Sequence, residues 1–80
     1  MNTTISAKVA TVKANAEADL LRTLEWLEGR RAELVRDLGR FMGRAVPEGR
    51  ERWVSDRERE LAYMQRRIAS VRLALNDLEA

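Results

Sequence analysis

The sequence predicts an all-α protein: an antiparallel helical hairpin with an N-terminal helical arm, expected to dimerise into a four-helix bundle. Three observations predict it. Two long stretches repeat apolar residues at alternating spacings of three and four, the signature of helices that share a seam. Between them lie the single proline, Pro47, and two of the four glycines, Gly43 and Gly49. Ala, Leu, Glu and Arg dominate, and charged residues make up 35% of the chain, a long-helix composition.

The elements follow in order. Residues 1–14 form the arm. Ile5, Val9, Val12 and Ala16 recur at helical spacing, out of step with the pattern from Leu20 onward, whose continuation would put the next apolar residue at Asp19. Asn15 is an acceptable N-cap followed by Glu17 and Asp19. The arm is therefore either continuous with helix 1 or a separate short helix that folds back, and a frayed terminus is the plain alternative.

Helix 1 is expected over 16–43. Leu20, Leu27, Leu34 and Phe41 make one series, and Leu24, Arg31 and Leu38 the other. Leu21, Val35 and Met42 widen the stripe, which suits a helix touching more than one neighbour. Gly43, with Pro47 soon after, marks the end. Gly29 and Gly39 fall inside the helix. They read as surface glycines or, for Gly39 with Gly43 four residues on, as a close approach of another backbone.

The loop, 44–52, is short, and short connections make antiparallel neighbours. Residue 45 then opposes about residue 50, and residue 80 about residue 15, so that the arm runs past the end of helix 2.

Helix 2, over 53–79, carries Val54, Leu61, Ile68 and Leu75 every seven residues, with Met64, Val71 and Leu78 as the second series and Arg57 in its first place. Ser55-Asp56-Arg57-Glu58 has the form of a capping box. Pro47 at the first helical position, with Glu48 and Glu51 near the positive end of the dipole, is a competing start. Trp53 lies at the entry in both cases. Arg31 and Arg57 interrupt the seams. They are expected to reach water or to pair with Glu60 and Asp37 respectively.

Composition excludes several classes. There is no Cys and no His, so no disulfide, no Cys/His zinc site and no Cys or His catalyst is expected. No metal, cofactor or catalytic residue is expected, and the chain reads as a non-enzymatic protein. No apolar run approaches the ~20 residues that span a bilayer, and the first fourteen residues lack a signal-peptide core. A cytoplasmic location in a bacterial cell, including as a phage-encoded product, is the default expectation.

Net charge is +2, and the excess sits centrally: residues 29–59 hold nine Arg against six acidic side chains. Arg36, Arg40 and Arg44 recur every four residues and form a basic ridge beside Arg50 and Arg52. Arginines at a helix C-terminus complement its dipole; they also suit an anionic partner, either an acidic protein surface or a nucleic-acid backbone. Trp26 lies off the seam amid charges, as an interaction anchor does. The expected partners are a second copy and a protein with an acidic or apolar surface. Nucleic acid ranks lower because Asp37, Glu48 and Glu51 interleave with the arginines and no aromatic platform accompanies them. Small binding proteins of this kind are common among phage and mobile-element products, as inhibitors or assembly factors, an analogy at the level of class.

Two segments resemble a known family. Arg31-Ala-Glu-Leu-Val-Arg-Asp-Leu-Gly39 is similar to the first-helix motif of helical chorismate mutases, and Asp56-Arg57-Glu58-Arg59-Glu60-Leu61 to that family's second-helix start. The resemblance implies that Arg31, Arg57 and Glu58 contact a dicarboxylate substrate. The sequence departs from the pattern at Met42, where the family has its catalytic Lys, and near Ala14, where an upstream Arg would fall. The segment joining the two motifs is about three residues longer.

Overall fold

The computed structural model describes residues 2–41 and 45–80, and side chains from residue 5 onward. Met42, Gly43 and Arg44 lie outside the described residues. So do the expected helix end at Gly43, the widening of the stripe at Met42, and the last residue of the basic ridge. Two helices, α1 (Asn2–Gly39) and α2 (Glu51–Glu79), pack against each other as an antiparallel hairpin.

The arm is part of α1. A helix is costly to nucleate and cheap to extend, and no Gly or Pro interrupts residues 2–28. Asn15 therefore sits inside the helix and caps nothing. The Thr11 hydroxyl donates to the Ala7 carbonyl at 2.9 Å, and Thr23 does the same to Asp19, so these β-branched side chains bond back to their own helix.

α1 is helical through Gly39, and a turn follows at residues 40 and 41. Its final turn tightens: the Arg40 N–H donates to the Asp37 carbonyl and the Phe41 N–H to that of Leu38 at 3.0 Å, the i to i−3 pattern that satisfies terminal carbonyls. A side chain at Gly39 or Gly29 would meet nothing within 4 Å. Among the described residues, Gly39 is therefore a surface glycine with no second backbone against it.

α2 begins at neither expected start. Ser55 lies within the helix, so no capping box forms, and Pro47 precedes it by four residues. The Arg50 N–H donates to the Pro47 carbonyl at 3.0 Å, closing a turn through Gly49 at φ +90°. Glycine takes that left-handed conformation without steric penalty. The Glu51 carboxylate accepts from the Gly49 N–H at 3.0 Å, and Arg50 occupies the N-cap with no side-chain cap of its own. Trp53 enters on the first turn of the helix.

The core is a single seam. Leu27, Leu34, Met64, Ile68 and Val71 are buried, with Leu20, Leu24, Leu61 and Leu75 packed against them. Val54 is buried toward the loop, while Leu38, Phe41 and Leu78 are half-buried. These assign heptad positions: Leu24, Arg31 and Leu38 are a and Leu27, Leu34 and Phe41 are d on α1; Val54, Leu61, Ile68 and Leu75 are a and Arg57, Met64, Val71 and Leu78 are d on α2.

Two ion pairs flank the seam. Arg30 grips Glu60 with two bonds, at 2.7 and 2.8 Å, and Arg72 reaches Glu28 at 2.8 Å. Arg30 and Glu60 both occupy g, whereas Glu28 and Arg72 both occupy e. Like-with-like pairing of g and of e belongs to antiparallel helices, and such flanking charges set orientation. The pairs bracket the register in which residue 45 opposes residue 50. The seam arginines do not take the expected partners. Glu60 pairs with Arg30 because Arg31 points along the seam and its neighbour lies on the flank. Arg57 lies over the Trp53 ring, 5.2 Å from the centroid, and among the described residues it makes no ion pair with Asp37.

Candidate functional site

The molecule is a rod of 69 × 17 × 16 Å. Its radius of gyration is 19.0 Å, against about 12 Å for a compact chain of this length. A rod with one seam leaves large parts of both helices in water, and three surfaces stand out.

The first is the face around Trp26, which is 64% exposed. Trp26 occupies c, beside the g flank, and with Arg22, Glu25, Gly29, Arg30 and Glu33 it lines a shallow groove. Arg30 also bonds Glu33 at 3.1 Å, so the cation beside the indole is held from two sides. Tyr63, half exposed, occupies the equivalent c position of α2 on the same flank. Tyr63 is not among the residues that the seam pattern singles out; its place one turn from Glu60 on the g side is the signal that marks it. Glu60 is held below the ordinary carboxylate pKa, first by the bonds from Arg30 and then by the charges of Arg30 and Arg57. Arg30 is raised in turn by Glu60 and Glu33. The g flank is thus fixed in charge as well as in geometry.

The second is the basic ridge. Arg36, Arg40, Arg50 and Arg52 are exposed, and none makes an ion pair among the described residues. Arg36 and Arg40 lie on the back of α1 and Arg52 on the back of α2, so the loop end carries positive charge on both outer faces. Trp26 is about 20 Å away along the helix from Arg40. The structure does not gather Trp26 and the arginines into one site.

The third is the arm. Beyond the end of α2, Val9, Val12 and Ala16 line an open groove with Lys8, Lys13, Asp77, Leu78 and Ala80. Ile5, Val9 and Val12 are 63%, 62% and 67% exposed, so the stripe recognised in the sequence is present and uncovered. Its spacing makes Val9 and Ala16 a positions, Ile5 and Val12 d positions, Lys8 g and Lys13 e. This phase is one residue off the seam of α1, and one residue turns a helix by 100°. The stripe therefore looks to one side of the line that α2 would extend along.

The residues of the mutase-like motifs are spread along the rod. Arg31 and Arg57 are half-buried and Glu58 is exposed. By the observed register Arg31 faces residue 64 and Arg57 faces residue 38, about 10 Å apart along the axis. Arg57 is engaged on Trp53, and Glu58 borders a groove formed by Leu38, Phe41, Val46 and Val54. Among the described residues, no group of three or more acidic side chains is placed to hold a metal ion, and no helix is long and apolar enough to cross a membrane.

Neither family models, curated proteins nor solved structures give a match to this chain.

Proposed function

We propose that this protein is a non-enzymatic binding module: a helical hairpin that pairs with a second copy and docks another protein. One observation carries the reading. The chain exposes 6452 Å², about 1,500 Å² more than a compact protein of its mass. That excess is on the scale of a whole standard interface, and it contains Trp26, Leu21, Val35, Tyr63, Leu73 and the arm valines. Leu21 and Val35 both occupy e on α1. Side-by-side pairing of two hairpins along this edge makes a four-helix bundle with two-fold symmetry, and it leaves Trp26, on the opposite flank, free to meet a partner.

Sedimentation velocity at micromolar concentration tests the pairing. The expected result is a dimer that Leu21→Lys with Val35→Lys converts to a folded monomer; a stably folded wild-type monomer contradicts it. Affinity capture from the native host tests the docking, with Trp26→Ala expected to abolish it. A second reading is favoured by the unpaired arginines of the loop end: an anionic partner, nucleic acid included. Arg36→Ala, Arg40→Ala and Arg52→Ala combined should then abolish binding instead, and the interaction should weaken with salt. No mobility shift at low salt removes the nucleic-acid form of it.

A further inference from the structure

The arm poses a separate question. Its apolar stripe is two heptads long, continuous with α1, and turned to one side of α2, whose Asp77 and Leu78 border the same groove. Something other than α2 fits it, and the charges beside the stripe say what. Lys8 and Lys13 sit on its two edges, at g and e, and the first acidic residue of the chain is Glu17. Neither lysine is ion-paired among the described residues.

Flanking charges choose partners in paired helices. This chain already shows the rule, with Arg30 against Glu60 at g and Glu28 against Arg72 at e. The same rule applied to two arms gives only repulsion. Antiparallel arms bring Lys8 toward its own counterpart and Lys13 toward its own. Parallel arms bring g toward the e position five residues on, which sets Lys8 against Lys13. Both orientations place like charges together, and such repulsion is how an interface rejects the wrong occupant. An acidic helix meets neither lysine with like charge, and the one side-chain carboxylate lining the groove, Asp77, lies at its α2 end. A membrane surface is the poorer match, because the stripe is narrow and holds no Trp, Phe or Leu to anchor at the lipid boundary.

We infer that the arm is a docking helix for an amphipathic helix of another protein whose apolar stripe is flanked by carboxylates. This rests on the reading of the chain as a binding module and specifies the chemistry of one partner. The occupant lies along Ile5, Val9, Val12 and Ala16, with its carboxylates against Lys8 and Lys13 and one end beside Leu78.

The test uses the full chain and two synthetic 21-residue helices with Leu at a and d. One carries Glu at every e and g position, the other Lys. Binding is read by fluorescence anisotropy. The Glu peptide should bind at or below about 100 µM, and the Lys peptide about tenfold more weakly or not at all. Val9→Asn with Val12→Asn should remove binding while circular dichroism and the melting of the hairpin stay unchanged. Lys8→Glu with Lys13→Glu should reverse the preference, a result that a merely sticky helix does not give. Failure of the Glu peptide to bind, equal binding of both peptides, no reversal on charge swap, or binding only to vesicles of equal parts phosphatidylglycerol and phosphatidylcholine would each overturn the inference. Trp26-dependent capture is measured alongside. If it persists while the peptides fail, the docking arm is wrong and the binding module stands.

Discussion

The two ends of the rod are made of similar helix-forming sequence and have opposite fates. At the loop end, Phe41 meets Trp53 edge to face, with ring centroids 5.7 Å apart. Arg57 covers the same indole, and Val54, the next residue along the helix, is buried. At the open end, Ile5, Val9 and Val12 repeat as regularly, yet each is more than 60% exposed. Periodicity decides which face of a helix is apolar. A second helix alongside decides whether that face is covered. Where α2 runs beside α1, the pattern becomes a core; where α2 stops, the same kind of pattern stays uncovered.

Substitutions that separate the two ends sharpen this contrast, beginning with the largest effect. Leu34 is fully buried in the seam. Leu34→Ala should destabilise the hairpin by about 2–5 kcal/mol in chemical denaturation, the usual result of a buried Leu→Ala change. Trp53→Ala removes the edge-to-face pair and the cation–π contact together, and should cost about 2 kcal/mol at the loop end. Its fluorescence counterpart is Trp53→Phe, which keeps the ring contact and should recover most of that loss.

The flank pair gives a smaller, pH-dependent effect. The folded state holds Glu60 below the ordinary carboxylate value of 4.5. A depressed carboxylate pKa contributes stability that is complete above the unfolded value and is lost as pH falls through the folded one. The denaturation midpoint should therefore fall as pH drops below about 4.5, and Glu60→Gln should flatten that part of the profile while lowering stability at neutral pH. Identical acid profiles for the two proteins would show that the pair does not couple to folding. Val9→Ala should be the mildest change. An exposed position away from caps and pairs shifts stability by no more than about 0.5 kcal/mol, and a loss comparable to that of Leu34→Ala would mean that the arm is packed.

The seam was legible in the sequence because a period of three and four is written in residue identity alone. Leu27, Leu34, Met64, Ile68 and Val71 all lie where that period places them, and the loop count set the register that the ion pairs bracket. The boundaries were less legible. Ser55 and Pro47 are both sound start signals, but a left-handed Gly49 and the Glu51 carboxylate close the turn between them first. Asn15 is a sound cap that a helix already under way simply overrides. The pairing of Glu60 with Arg30, one residue from the expected Arg31, follows from heptad flanks: a charge at a points along the seam, and a charge at g points across it. The cation–π contact of Arg57 had no signature in spacing beyond its separation of four residues from Trp53. Trp26 was visible as an off-seam aromatic, whereas the places of Lys8 and Lys13 on the two edges of an uncovered stripe emerge only when the arm's one-residue phase shift is set beside the position where α2 ends.

The central claim is that α1 is one continuous helix of which only the inner part is covered. Amide hydrogen exchange resolved along the isolated chain tests it most directly, because local opening tracks burial and contact density. Amides of residues 24–36 should exchange slowly and together, through opening of the whole hairpin, while those of residues 5–15 should exchange far faster. Equal protection across both segments would show that the arm is already buried, and the account of an open docking helix would be wrong.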